Sequence, residues 1–412
     1  MTMRTRNHSG ILFLAAFFIF AAPAAGHADN LFRLYPEMQL NGFYGDNIPL
    51  RTNNEGGDFG TTMVGGFYLD YTSAARYASL HYDTFAQLFL HQSRYDRAGE
   101  GQYLDAEDYE NLSARTKLHF SELFYRDATG LVAITTSDQS PQFNSVMALI
   151  LLANYQSSIN RFETVLSHDW GRNWSSEFSV RQETFWADDN NGNNNTTYVQ
   201  GFTATTQYHF SNQFSLGGGY RYYDFRFSAP GRPDEEAQWP FVLASWQPTK
   251  TLYLSGIVGV VISHTQGDSE ETLNPGGIGQ VEYDFSPRGR LQIYGGQEPE
   301  LTSVYGTVGY VRGMRGSIIY DFTQRLTGTA GAGFYDFDGS GLSGEFISWG
   351  VGVSERVNKW LSVNTKFVQI RRNETSTNQF LPSGTESGQW AVGDYYIVGL
   401  AVSIEALRWS WQ

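Results

Sequence analysis

The chain has 412 residues, 44 of them glycine; aromatic side chains make up 16% and charged ones only 17%. A disordered chain is aromatic-poor and highly charged, so that class is excluded, and a soluble domain usually carries about 25% charged residues, which argues against an ordinary cytoplasmic enzyme. Acidic residues outnumber basic ones 42 to 28, for a net charge of −14, which excludes a nucleic-acid binder with a basic stripe, and the lack of cysteine excludes disulfides, thiolate metal sites and a cysteine nucleophile.

Residues 1–28 have the parts of a secretory signal peptide. Arg4 and Arg6 precede the apolar run Ile11–Ala22, and a small-residue stretch ends at Ala28, so cleavage is expected before Asp29. The run is far short of the ~20 residues that cross a bilayer as a helix. Removing Arg4 and Arg6 leaves 26 basic against 42 acidic residues, a net charge of −16. No linker or charge run divides 29–412, so a single domain is expected there.

Along that domain the chain reads as strands joined by turns. A first strand is expected around Glu37–Gly45 and a tight turn at Ser73–Arg76. In Leu112–Tyr125, Leu112, Ala114, Leu118, Phe120 and Phe124 share one face, opposite Arg115, Lys117 and His119. A turn is expected at Asp127–Gly130, followed by a strand near Leu131–Thr136. The segment Ser145–Ala153 (SVMALILLA) is too apolar for a solvated loop; it is expected to constrict the interior, pack on a rim or extend the next strand. Further turns fall at Gly171–Trp174, Gln247–Lys250 and Glu355–Lys359. Strand–turn–strand units lie at Tyr208–Phe227, Tyr283–Gly295 and Tyr320–Phe337, and a last strand lies around Tyr395–Glu405.

Alternation with a period of two is the strand signature, and here it recurs with one apolar and one polar face. Several strands exceed the 5–6 residues usual in soluble sheets, connections alternate between short and long, and aromatics crowd the strand ends beside the short turns. Eight short turns imply 16 strands, and terminal strands raise the count to about 18. The expected fold is all-β: a transmembrane antiparallel up-and-down β-barrel of about 18 strands, with 16 as the alternative count, in a bacterial outer membrane. Closure removes the open edges that lipid does not tolerate.

Catalytic motifs are absent, so no enzyme and no cofactor are expected. His81 and His91 share a strand parity with Asp83, and His168 adjoins Asp169, but scattered histidines read as wall residues. Asp336-x-Asp338-x-Ser340-Gly341 opens like a calcium loop and lacks the acidic twelfth ligand, with Ile347 in its place, so no metal site is expected. Charges cost about 2–4 kcal/mol at the lipid midplane and belong inside. Strand parity makes Arg115, Lys117, Arg161, Glu163, Arg181, Glu183, Arg221, Glu282, Asp284, Arg290, Asp321, Lys366 and Arg372 pore-lining candidates. Tyr220, Tyr222 and Tyr223 offer flat faces to sugar rings or belong to an interfacial girdle.

The triplets Asp284-Phe285-Ser286 and Asp321-Phe322-Thr323, each followed by a turn, and the Gly/Tyr-rich strand Leu216–Phe227 resemble the β-barrel porin family of Gram-negative outer membranes that is often encoded beside exopolysaccharide assembly genes. That resemblance implies export of a hydrophilic polymer, most plausibly an exopolysaccharide, with a periplasmic partner supplying the inner connection. The alternative is a general or solute-selective uptake porin; an outer-membrane hydrolase and a structural or adhesive barrel are further ones. Expected partners are outer-membrane lipid and lipopolysaccharide and a polysaccharide or small hydrophilic solute, with no nucleic acid.

Overall fold

A computed structural model describes residues 30–46, 56–91, 97–127, 156–188, 194–228, 233–267, 270–302, 307–339, 342–376, 390–403 and 407–411. Among these residues every regular element is a strand: β1 (Asn30–Gly45), β2 (Asp58–Thr72), β3 (Arg76–Phe89), β4 (Arg97–Asn111), β5 (Thr116–Asp127), β6 (Gln156–Asp169), β7 (Trp174–Asp188), β8 (Asn194–His209) and β9 (Phe214–Phe227) form the first half. The second half comprises β10 (Glu235–Thr249), β11 (Leu252–Thr265), β12 (Glu271–Ser286), β13 (Gly289–Thr302), β14 (Thr307–Asp321), β15 (Leu326–Gly339), β16 (Leu342–Arg356), β17 (Leu361–Ser376), β18 (Trp390–Ser403) and β19 (Leu407–Trp411).

Each strand from β1 to β17 pairs antiparallel with the next, and β1 closes the sheet by pairing with β2 on one edge and with β18 and β19 on the other. Glu37–Gly45 binds β18 and Asn30–Leu34 binds β19, so these two are successive parts of one closing strand. The result is a closed, 18-stranded up-and-down barrel. At about 3.3 Å per residue, strands of 14–16 residues are long enough to cross a bilayer at a tilt.

One end of the barrel is built from tight turns with a common device. Ser113 Oγ accepts the N–H groups of Arg115 and Thr116 at 3.2 and 3.0 Å. Ser211, Thr323 and Asn358 do the same for the pairs Gln213/Phe214, Arg325/Leu326 and Trp360/Leu361. A side-chain oxygen at the turn's start thereby satisfies amides that the sheet ladder has released. This corrects the expected strand Leu112–Tyr125, because the chain reverses at Leu112–Arg115; β5 then ends at Asp127, at the opposite end of the barrel, and residues 128–130 of the expected Asp127–Gly130 turn lie outside the described residues. The strand expected near Leu131–Thr136 and the apolar segment Ser145–Ala153 lie outside the described residues. At the opposite end, connections range from the long 128–155 to the two-residue 340–341, so the alternation of short and long is incomplete.

Paired residues share a face, so one parity can be followed round the wall. The outward parity carries Met38, Met63, Phe178, Val242, Val258, Met314, Val351 and Val398, all exposed. At the turn end a chain of ring contacts joins Trp174 to Tyr208 and Phe210 on one side, and Tyr283, Phe285, Tyr320 and Phe322 on another. An apolar outer band with an aromatic girdle is the surface of a barrel dissolved in lipid, and a closed barrel of this kind belongs in an outer membrane. Val258 sits near mid-strand on the outer face of β11 and is 66% exposed. Val258→Arg should lower folding stability by about 2–4 kcal/mol in lipid vesicles, measured by urea unfolding, while Ser255→Arg on the inward parity of the same strand should cost far less.

Candidate functional site: the lumen wall

The inward parity is organised in levels. One register row passes through Tyr35, Tyr68, His81, Asp105, Leu123, Arg161, Glu183, Val199 and Phe225. Between mid-height and the loop end, buried apolar side chains line much of the interior: Phe43 (β1), Val64 (β2), Phe85 (β3), Tyr125 (β5), Ile159 (β6), Phe185 (β7), Val199 (β8), Phe225 (β9), Trp239 and Phe241 (β10) and Val261 (β11), with the buried polar Asn41, Thr62, Gln87 and Thr197 among them. Val311, Tyr335, Phe346, Ile370 and Ile397 continue it over β14–β18. Glycine makes room for the widest rings: a Cβ on Gly276 would lie 3.0 Å from the Trp239 ring, and one on Gly219 would lie 2.5 Å from Phe241 Cζ. The Arg221 guanidinium lies 5.1 and 5.4 Å from the ring centres of Trp239 and Phe241, tying the apolar ring to the charges beside it.

Towards the turn end the wall becomes charged. Arg161 Nε donates to Glu183 Oε2 at 2.7 Å, and Arg181 donates to the same oxygen. The Glu183 side chain is 1% exposed, so a carboxylate removed from water is held by two guanidinium groups. Glu163 faces Arg181 in the register, completing an alternation of sign across β6 and β7. On β1–β4 the wall is acidic, with Glu37, Asp70, Asp83, Asp105 and Glu107 on the inward parity, and Arg33 Nε pairs with Asp70 at 2.8 Å.

The other sequence-derived candidates distribute as follows. Lys117 lies on the inward parity close to the turn end, and Glu282 accepts a hydrogen bond from Gln280 at 2.6 Å. Arg290 pairs with Asp284 at 2.8 Å beside the β12–β13 turn, and Asp321 accepts from Thr327 Oγ1 at 2.7 Å at the end of β14. Lys366 stands between Gly352 and Ile397 on the inward parity, and Arg372 occupies that parity between Phe346 and Ala391. Arg115 is the exception to the strand placement: it lies in the exposed Leu112–Arg115 turn. Of the three tyrosines, Tyr220 and Tyr222 take the outward parity, and only Tyr223 faces inward, over Gly201.

His81 and Asp83 do meet, at 3.1 Å, whereas His91 pairs with Asp58 at 2.9 Å and His168 with Thr116 Oγ1 at 2.9 Å. Asp336 lies 3.4 Å from Arg312 on the outward parity, and residues 340–341 of the calcium-like motif lie outside the described residues. The apolar ring is the feature that sequence reasoning missed. Its available signal was Trp239–Ala244 (WPFVLA), which is apolar on both strand parities.

No family model and no curated protein matches the chain. Solved structures with a similar chain course include OccK2 (OpdF) of Pseudomonas aeruginosa in complex with glucuronate, at 11% identity and a TM-score of 0.47, covering 91% of this chain and 98% of that one. The outer-membrane protein opdK of Pseudomonas aeruginosa matches at 12% identity and a TM-score of 0.42, over 91% of this chain and 99% of that one. A mutant of the ferric enterobactin receptor PfeA from the same organism matches at 9% identity and 0.42, over 90% of this chain and 80% of that one.

Proposed function

We propose that the chain is a solute-selective channel that carries small, charged hydrophilic solutes across the outer membrane, and that residues 1–28 are the export signal removed before assembly. The observation that supports this reading is the two-level inner wall: an apolar ring above a belt of paired charges. The partly exposed Arg161 and Arg181 offer guanidinium groups that replace part of a charged solute's hydration, and the ring, apolar apart from the Tyr125 and Tyr335 hydroxyls and the Trp239 N–H, narrows the path. Binding strong enough to admit a solute is thus followed by a level at which it is released. A hydrated polysaccharide needs hydrogen-bond partners along the whole bore, and the ring offers few, the Tyr125 and Tyr335 hydroxyls and the Trp239 N–H, so this layout favours small-solute uptake over polymer export. No reacting group is assigned to the wall, and the reading involves no chemistry on the solute.

Swelling of proteoliposomes tests it. Hexose-sized sugars and sugar acids should enter, the charged ones at a rate that falls with added salt, while an oligosaccharide of several residues should be excluded. Equal entry of long and short sugars, or no entry of any solute, would overturn the proposal.

A further inference from the structure

A second charged cluster stands apart from the Arg161–Glu183–Arg181 group, on the inner wall of β1 and β3. His81 Nε2 lies 3.1 Å from Asp83 Oδ2 and 3.5 Å from Glu37 Oε2. One ligand atom from each of the three residues falls within 4.8 Å of the others. The register explains the convergence: Glu37 pairs with Gly66, and Gly66 pairs with Asp83. A Cβ on Gly66 would lie 2.0 Å from Asp83 Oδ1, so glycine on the intervening strand is what lets carboxylates from β1 and β3 lean together. His81 precedes Asp83 by two residues and therefore projects from the same face. The rings of Tyr68 and Tyr103 stand edge-on to the imidazole at 6.2 and 5.4 Å and fix its plane.

Two observations point to a cation. The His81 Nε2 atom is shielded from solvent, although the side chain as a whole is 31% exposed, and it faces two carboxylates at ion-pair distance without a hydrogen bond of acceptable geometry to either. The surrounding wall adds Asp105, opposite His81 in the register, and Glu107 two residues further along β4. With metal–ligand bonds of about 2.0–2.1 Å, the 3.1 and 3.5 Å separations subtend angles of about 100° and about 115° at a shared ion. Those angles suit a tetrahedral centre, and one imidazole nitrogen with two carboxylate oxygens is a donor set for borderline divalent ions of the first transition row.

We infer that Glu37, His81 and Asp83 bind one divalent transition-metal ion on the lumen wall, with its remaining coordination open to water or to an oxygen of a passing solute. The inference is independent of the transport proposal, because it concerns equilibrium binding to the folded barrel.

Calorimetric titration of the untagged, metal-free, refolded barrel with Zn²⁺ tests it. The expected result is one Zn²⁺ per chain, with affinity reduced at least tenfold in both His81→Gln and Asp83→Asn and unchanged in His91→Gln. Loading with Co²⁺ should give visible absorption of tetrahedral intensity in the wild type, lost in the His81 variant. Gel mobility without boiling confirms that each variant is a closed barrel. Absence of stoichiometric binding by the wild type, or equal binding by wild type and both cluster variants, would overturn the inference.

Discussion

Glu183→Gln should destabilise the barrel by about 3–4 kcal/mol, seen as a lower urea midpoint for reversible unfolding in lipid vesicles. Removing one partner of a buried ion pair costs about 3–5 kcal/mol because the other partner's charge stays behind uncompensated. Here two charges stay behind, since Arg161 and Arg181 both bond to Glu183 Oε2. Their side chains are 17% and 27% exposed against 1% for Glu183, so residual hydration moderates the loss. Replacing all three residues together with Met, Met and Leu should recover most of the stability, because an apolar set of similar volume leaves no charge stranded. A Glu183→Gln loss below about 1 kcal/mol would mean that water reaches the cluster freely, contrary to its burial.

Trp239→Ala combined with Phe241→Ala should raise single-channel conductance several-fold. Both side chains are buried in the apolar ring on β10, at 0% and 6% exposure, and they lie against the Arg221 guanidinium. Their loss widens the ring, releases Arg221 towards the bore and makes the level easier to wet. Each truncation also carries a stability cost of about 3–5 kcal/mol typical of a buried aromatic, so the variant is to be studied at low denaturant and moderate temperature. Unchanged conductance in a correctly closed variant would place the narrowest level elsewhere.

The barrel itself is legible in the sequence because lipid imposes a rule on every second residue. Val258 and Val260 of β11 show it directly, as does Tyr208–Phe227 with its tight turn. The rule does not report on the interior, which has no single solvent. Alternation therefore marks Arg161, Arg181 and Glu183 as inward, while Trp239, Phe241 and Leu243, equally inward, are hidden among the outward Pro240 and Val242. The turn at Leu112–Arg115 escapes notice for a related reason: Leu112 and Ala114 continue the apolar parity through the reversal, and what marks the turn is Ser113, whose hydroxyl binds two amides. Convergence of Glu37 with His81 and Asp83 depends on strand register across Gly66, which local pattern does not specify.

Single-channel recording of the refolded chain from residue 29 onward, in a planar bilayer, tests the transport account most directly. The account predicts small discrete openings, with brief interruptions whose frequency rises with the concentration of a charged sugar acid and falls with added salt. A silent membrane, or a large steady current that neither charged nor neutral solutes interrupt, would contradict it.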